Sequence, residues 1–148
     1  MAKPAHTGVA AATPVWEPAG VPEAEQMREV VGRYIAANTA GDVDAIVALY
    51  APDATVEDPI GSEPHQGHDA IRSFYESTQA LADEVELVST GPVRVAANEV
   101  AFPFQVISRL GETKVVLDVV DTMKFDETGK VTEMRAYWSM NDIRPFEG

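Results

Sequence analysis

A chain of 148 residues with a formal charge of −13 is long enough for one domain, yet offers no basic cluster to nucleic acid or an anionic membrane. The absence of cysteine excludes disulfides, thiolate metal sites and a cysteine nucleophile. Acids interrupt every apolar run well short of the roughly 18 residues that a membrane span needs.

Met1 to Val21 is rich in Ala and Pro without a period and reads as a flexible lead-in, with Trp16 able to dock on the body. One Lys3 and a short Val9–Ala12 apolar run are too weak for a secretory signal, so a soluble, cytoplasmic protein is expected. Residues 22–148 read as a single domain. Met27, Val30, Val31, Tyr34 and Ile35 follow the spacing of an amphipathic helix running to about Thr39. Gly41 is its stop, and Asp42 caps a second helix that buries Ile46, Val47, Leu49 and Tyr50. Pro52-Asp53 leads into a short strand, Ala54 to Asp58, closed by Pro59 and Gly61. A loop, Ser62 to Gly67, precedes a third helix with Ile71, Phe74, Tyr75 and Thr78 on one stripe. The remainder reads as antiparallel strands: Val85–Thr90, Pro92–Ala96, Glu99–Leu110, Lys114–Phe125 and Val131–Met140. Three helices followed by a strongly curved sheet predict an α+β cone enclosing an apolar pocket.

Strand side chains alternate between faces. Val115, Leu117, Val119, Asp121, Met123 and Phe125 therefore share one side of their strand, and Asp121 is its only polar member. The opposite side, from Val116 to Lys124, is mixed and suited to water. No basic residue shares the face of Asp121. It is either a carboxyl satisfied by backbone or water, or an acid kept protonated near neutral pH and able to donate a hydrogen bond. Neighbouring strands contribute Val100, Phe102, Phe104, Val106 and Ser108, then Thr132, Met134, Ala136, Trp138 and Met140. These stripes suit either a helix-packed core or the wall of a site for a flat apolar ligand.

Tyr34, Tyr50 and Tyr75 lie on the apolar stripes of three helices, as separate core tyrosines or as a chain of hydroxyls. Asp58, at a strand end before Pro59, suits a turn or a general base at a cavity mouth, whereas Glu57 should face water. His65 and His68 lack a third ligand for a metal, and neither a nucleophile elbow nor a phosphate loop is present.

The runs Arg33-Tyr34-Ile35, Gly41-Asp42 through Ile46-Val47, Tyr50-Ala51 and Ala54 to Pro59 resemble bacterial Δ5-3-ketosteroid isomerase, of the nuclear-transport-factor-2-like superfamily. So do Phe74-Tyr75, Gly91-Pro92-Val93-Arg94, Val120-Asp121 with Met123 and Phe125, and Met134-Arg135-Ala136-Tyr137-Trp138; together they cover roughly residues 25–143. That enzyme is itself the familiar instance of a base Asp opposite a protonated Asp. The resemblance implies that Asp58 moves a proton from C4 to C6 of a 3-oxo-Δ5 steroid, while Tyr34 and neutral Asp121 donate to the C3 oxygen. It implies that Tyr50 and Tyr75 support Tyr34 and that Trp138 packs beside the base. Phe104, Val106, Leu117, Val119, Met134 and Ala136 would hold the steroid. It further implies no cofactor, no metal, and a homodimer built through the outer face of the sheet. Alternatives on the same fold are a non-catalytic steroid or lipid binder and an epoxide hydrolase or polyketide cyclase. The hydrolase would want an Arg between two acids inside the cavity.

Overall fold

The computed structural model describes residues 20–147. The predicted lead-in up to residue 19, with Trp16, lies outside them. Helix α1 (Ala24–Ala40) forms where the 3.6-residue stripe is densest, burying Met27, Val30, Val31, Tyr34, Ala37 and Asn38. Gly41 ends it in the left-handed conformation at φ 70°, which a side chain would resist. Asp42 then accepts from the Ala45 N–H at 3.1 Å and starts α2 (Val43–Val47). The third helix, α3 (His68–Ala80), buries Ile71 and Tyr75.

Among the described residues eight strands form one mixed sheet. They are β1 (Tyr50–Glu57), β2 (His65–Gln66), β3 (Glu84–Ser89), β4 (Arg94–Ala96), β5 (Glu99–Leu110), β6 (Thr113–Phe125), β7 (Val131–Tyr137) and β8 (Ile143–Pro145). The main path is β2-β1-β7-β6-β5-β3, with β4 beside β5 and β8 beside β6. The β1–β7 pairing is parallel and the others are antiparallel. The long β5–β6 ladder is the spine: its register puts Phe102 opposite Asp121, Phe104 opposite Val119 and Val106 opposite Leu117. Helices and the inward face of this ladder share one hydrophobic core, to which Val119, Met123 and Phe125 belong.

Four details depart from the sequence reading. Tyr50 is the first residue of β1, not part of the second helix, because β7 captures the chain there: Val131 N–H donates to Leu49 O at 2.9 Å and Tyr50 pairs with Val131. Pro52 sits inside β1, where the register to β7 slips between Tyr50 and Thr55, so its missing donor interrupts no regular rung. The inward face of β7 also differs from the expected stripe. A register shift at Lys124/Phe125 places fully buried Val131 beside Phe125, and β7 stops at Tyr137. Thr132 is consequently half-buried and Met140, 75% exposed, belongs to a 3₁₀ turn (Met140–Asp142). Finally, β8 returns beside the start of β6, pairing Arg144 with Val116, which is buried on the side expected to meet water. Two-residue β2 and three-residue β8 are too short to leave a period in the sequence.

Candidate active site

The helices do not fill the concave side of the sheet. A cavity of about 350 Å³ remains, lined from α1 by Tyr34 and Asn38 and from α3 by Phe74 and Tyr75. Val85 and Leu87 of β3, Phe104 and Val106 of β5, and Leu117, Val119 and Asp121 of β6 also line it, as do Asp58 and Trp138. A flat apolar body fits such a space better than a small polar one. In a surface groove of about 400 Å³ over Thr39, Asp83, Glu84 and Arg109, the guanidinium is already paired: Arg109 meets Glu84 at 3.2 Å and Asp83 at 3.5 Å.

Asp121 is 1% exposed and stands between Phe102 on β5 and Ala136 on β7, both buried. Neither of its carboxyl oxygens meets a hydrogen-bond partner among the described residues. Loss of water pushes its pKa well above the ordinary carboxylate range, and the nearby charge of Asp58 pushes it further. Tyr34, close by but outside bonding geometry, opposes the shift without reversing it. Burial and the nearby charge of Asp58 both favour the neutral carboxyl over the carboxylate.

Asp58 follows the end of β1 and joins Pro59 through a cis peptide. It is half-buried, and Trp138, just beyond β7, donates from Nε1 to Asp58 Oδ1 at 2.7 Å. Burial raises the Asp58 pKa; the indole N–H, and to a lesser degree the neighbouring His65, pull it back. The two acids thus differ physically: Asp58 has a donor holding its charged form, and Asp121 has none. Glu57 points outward, accepting from Gly61 N–H at 2.9 Å and from Arg135 at 3.4 Å, which hold its pKa low.

The three tyrosines meet in one chain. Tyr34 and Tyr75 hydroxyls are 3.0 Å apart, and Tyr75 and Tyr50 hydroxyls 2.7 Å apart, although the three come from α1, α3 and β1. Burial raises all three pKa values well above that of free tyrosine. If Tyr34 donates into the cavity, Tyr75 must donate to Tyr34 and Tyr50 to Tyr75, each bond polarising the next.

Of the residues expected to hold a ligand, Phe104, Val106, Leu117, Val119 and Trp138 line the cavity. Met134 and Ala136 do not; both are 0% exposed and belong to the hydrophobic core. Tyr50 likewise sits behind Tyr75 rather than in the wall. Sequence reading missed Asn38 and Leu87 altogether, and named Trp138 as packing without its bond to Asp58. Asn38 had a usable signal, since it continues the Met27, Val31, Tyr34 stripe. His68 is occupied with Tyr50 O at 2.9 Å, and no group of metal-ligating side chains gathers among the described residues.

A SnoaL-like domain model matches residues 31–134. The chain belongs to that family. It is 39% identical over 118 residues to a steroid Delta-isomerase of Nocardioides simplex, covering 80% of this chain and 94% of that one, which makes it an enzyme of the steroid Delta-isomerase group. It is 23% identical to the epoxide hydrolase LasB of Streptomyces lasalocidi, spanning about half that protein: 86% of this chain against 52% of the hydrolase. Among solved structures, the epoxide hydrolase/cyclase-like enzyme SalBIII, described in pyran ring formation in polyether salinomycin, superposes with a TM-score of 0.75. That match has 29% identity and covers 82% of this chain and 97% of SalBIII. No helix among the described residues is long and apolar enough to cross a membrane.

Proposed function

We infer that the chain moves the double bond of 3-oxo-Δ5 steroids into conjugation, giving 3-oxo-Δ4 steroids. Asp58 takes a proton from C4, and the C4–H electron pair delocalises through C3 onto the carbonyl oxygen. The resulting dienolate oxygen accepts hydrogen bonds from Tyr34 and neutral Asp121. Asp58 then returns the proton to C6 as the carbonyl re-forms, so the balance closes without an oxidant or a second substrate. Donors fixed in a dry cavity stabilise the developing charge more than water does. One observation carries this reading: a partnerless carboxyl buried to 1% exposure lines the same cavity as a second acid whose charged form is hydrogen-bonded. Such a pair separates donor from base.

The same observation weighs against the epoxide hydrolase reading. No Arg is among the residues lining the cavity, so nothing there bridges the two acids. The carrier reading leaves the divergent environments of Asp58 and Asp121 without a use. Residues 22–148 act as the single catalytic domain. A homodimer through the outer sheet face belongs to the same proposal; Val120 and Tyr137, cross-strand partners there, are 41% and 49% exposed. Conversion of 5-androstene-3,17-dione to the conjugated 4-ene-3-one tests the function. The wild-type protein should convert it; steroid binding without conversion would leave the carrier.

A further inference from the structure

The end of the cavity away from the acids holds a second anomaly. Asn38 follows Met27, Val31 and Tyr34 on the inward stripe of α1, and is 6% exposed where an apolar residue is expected. Its Nδ2 donates to Tyr34 O at 2.9 Å. Only the nitrogen of a carboxamide can donate to a carbonyl, so this bond fixes which way the group is turned. Oδ1 accepts from no group among the described residues, and Asn38 lines the cavity. Three other polar side chains of the wall donate to helix carbonyls, Ser77 to Phe74 O, Thr78 to Tyr75 O and Gln79 to Asn38 O, while Ser108 lies two residues beyond Val106 on β5.

The register shows where this turn of α1 lies along the sheet. The hydroxyl of Thr39, the next residue, bonds both the N–H and the carbonyl of Leu87, and Leu87 pairs with Val106. Val106 lies four residues along β5 from Phe102, the partner of Asp121. Four residues of strand rise about 13 Å. Leu87, bonded to Thr39 beside Asn38, therefore lies about that far along the sheet from the level of Asp121, on the scale of a fused four-ring skeleton.

Resting on the steroid reading above, we propose that Asn38 is a specificity residue whose Oδ1 accepts a hydrogen bond from a hydroxyl at C17, favouring 17-hydroxy over 17-oxo substrates. A ketone there has no proton to offer and leaves Oδ1 unpaired on closing the cavity, and a buried acceptor left unpaired is what penalises a wrong ligand.

The test is equilibrium binding, which does not depend on turnover. Testosterone, androst-4-ene-3,17-dione and androst-4-en-3-one differ only at C17. The wild-type protein should bind testosterone about tenfold more tightly than the dione, on the scale of one satisfied against one unsatisfied buried group. Asn38→Leu should reduce that preference to within about twofold and bind the compound lacking a C17 oxygen at least as tightly as wild type, an effect that general loss of packing would not produce. Equal affinity of wild type for the first two steroids, or an unchanged preference in Asn38→Leu, overturns the role of Asn38 alone. Failure of all three to bind wild type overturns the steroid reading, and this inference with it.

Discussion

Replacing Asp121 by Leu should strengthen the fold while weakening the enzyme. The native carboxyl is 1% exposed, flanked by Phe102 and Ala136, and has two oxygens without partners. An unsatisfied buried polar group costs about 1–3 kcal/mol, and Leu removes it without leaving a charge. The gain also depends on pH. Because the folded-state pKa of Asp121 is raised, the unfolded chain loses this proton first as pH rises, and ionisation then favours unfolding. Below the unfolded pKa of about 3.9 the ionisation penalty is absent; above it, wild type loses about 1.4 kcal/mol per pH unit from this group until the folded pKa is reached. Urea denaturation of both proteins at several pH values between about 4 and 8 reads the difference directly. The Asp121→Leu variant should be the more stable, by an amount that grows with pH from an acidic-pH gap of about 1–3 kcal/mol. Steroid turnover should fall roughly 10²–10³-fold, as for loss of one oxyanion donor. A less stable variant, or a stability gap that does not change with pH, would refute the claim that Asp121 is an unpaired, protonated acid.

Asp58→Asn should abolish turnover, since the amide cannot take the C4 proton, while product steroids still bind; residual turnover near the wild-type rate would remove Asp58 from the role of base. The pH profile of kcat/KM should rise through the pKa of Asp58, which burial raises from its ordinary value, because only the ionised form abstracts a proton. Trp138→Phe removes the 2.7 Å donor that lowers that pKa, so the same profile should move to higher pH. Tyr75→Phe breaks both links of the hydroxyl chain and Tyr50→Phe only the outer one, so the first should slow turnover more.

Much of this was legible in the chain. The α1 stripe, the β5–β6 ladder and the parity that isolates Asp121 all rest on long periodic segments. What escaped notice was local and depended on distant partners. Tyr50 has the same apolar spacing in a helix as at a strand start, and only pairing with Val131 decides between them. Trp138 reads as one more apolar residue until β7 ends one position earlier and frees its indole to reach Asp58. Met134 and Ala136 share the parity of wall residues, but parity names a face and not what stands in front of it. Asn38 broke the α1 stripe in the way that Asp121 breaks the β6 stripe, so the same rule would have found it.

The most direct test of a neutral Asp121 donor is the pH titration of its ¹³C-labelled carboxyl carbon in the folded protein, with Asp121→Leu used to assign the signal. A carboxyl held protonated should keep the chemical shift of the acid form from about pH 4 to beyond neutrality, and that signal should move when a product steroid binds. Titration in the ordinary range near pH 4 would show an ionised carboxylate in the cavity, and an ionised Asp121 could not donate to the oxyanion.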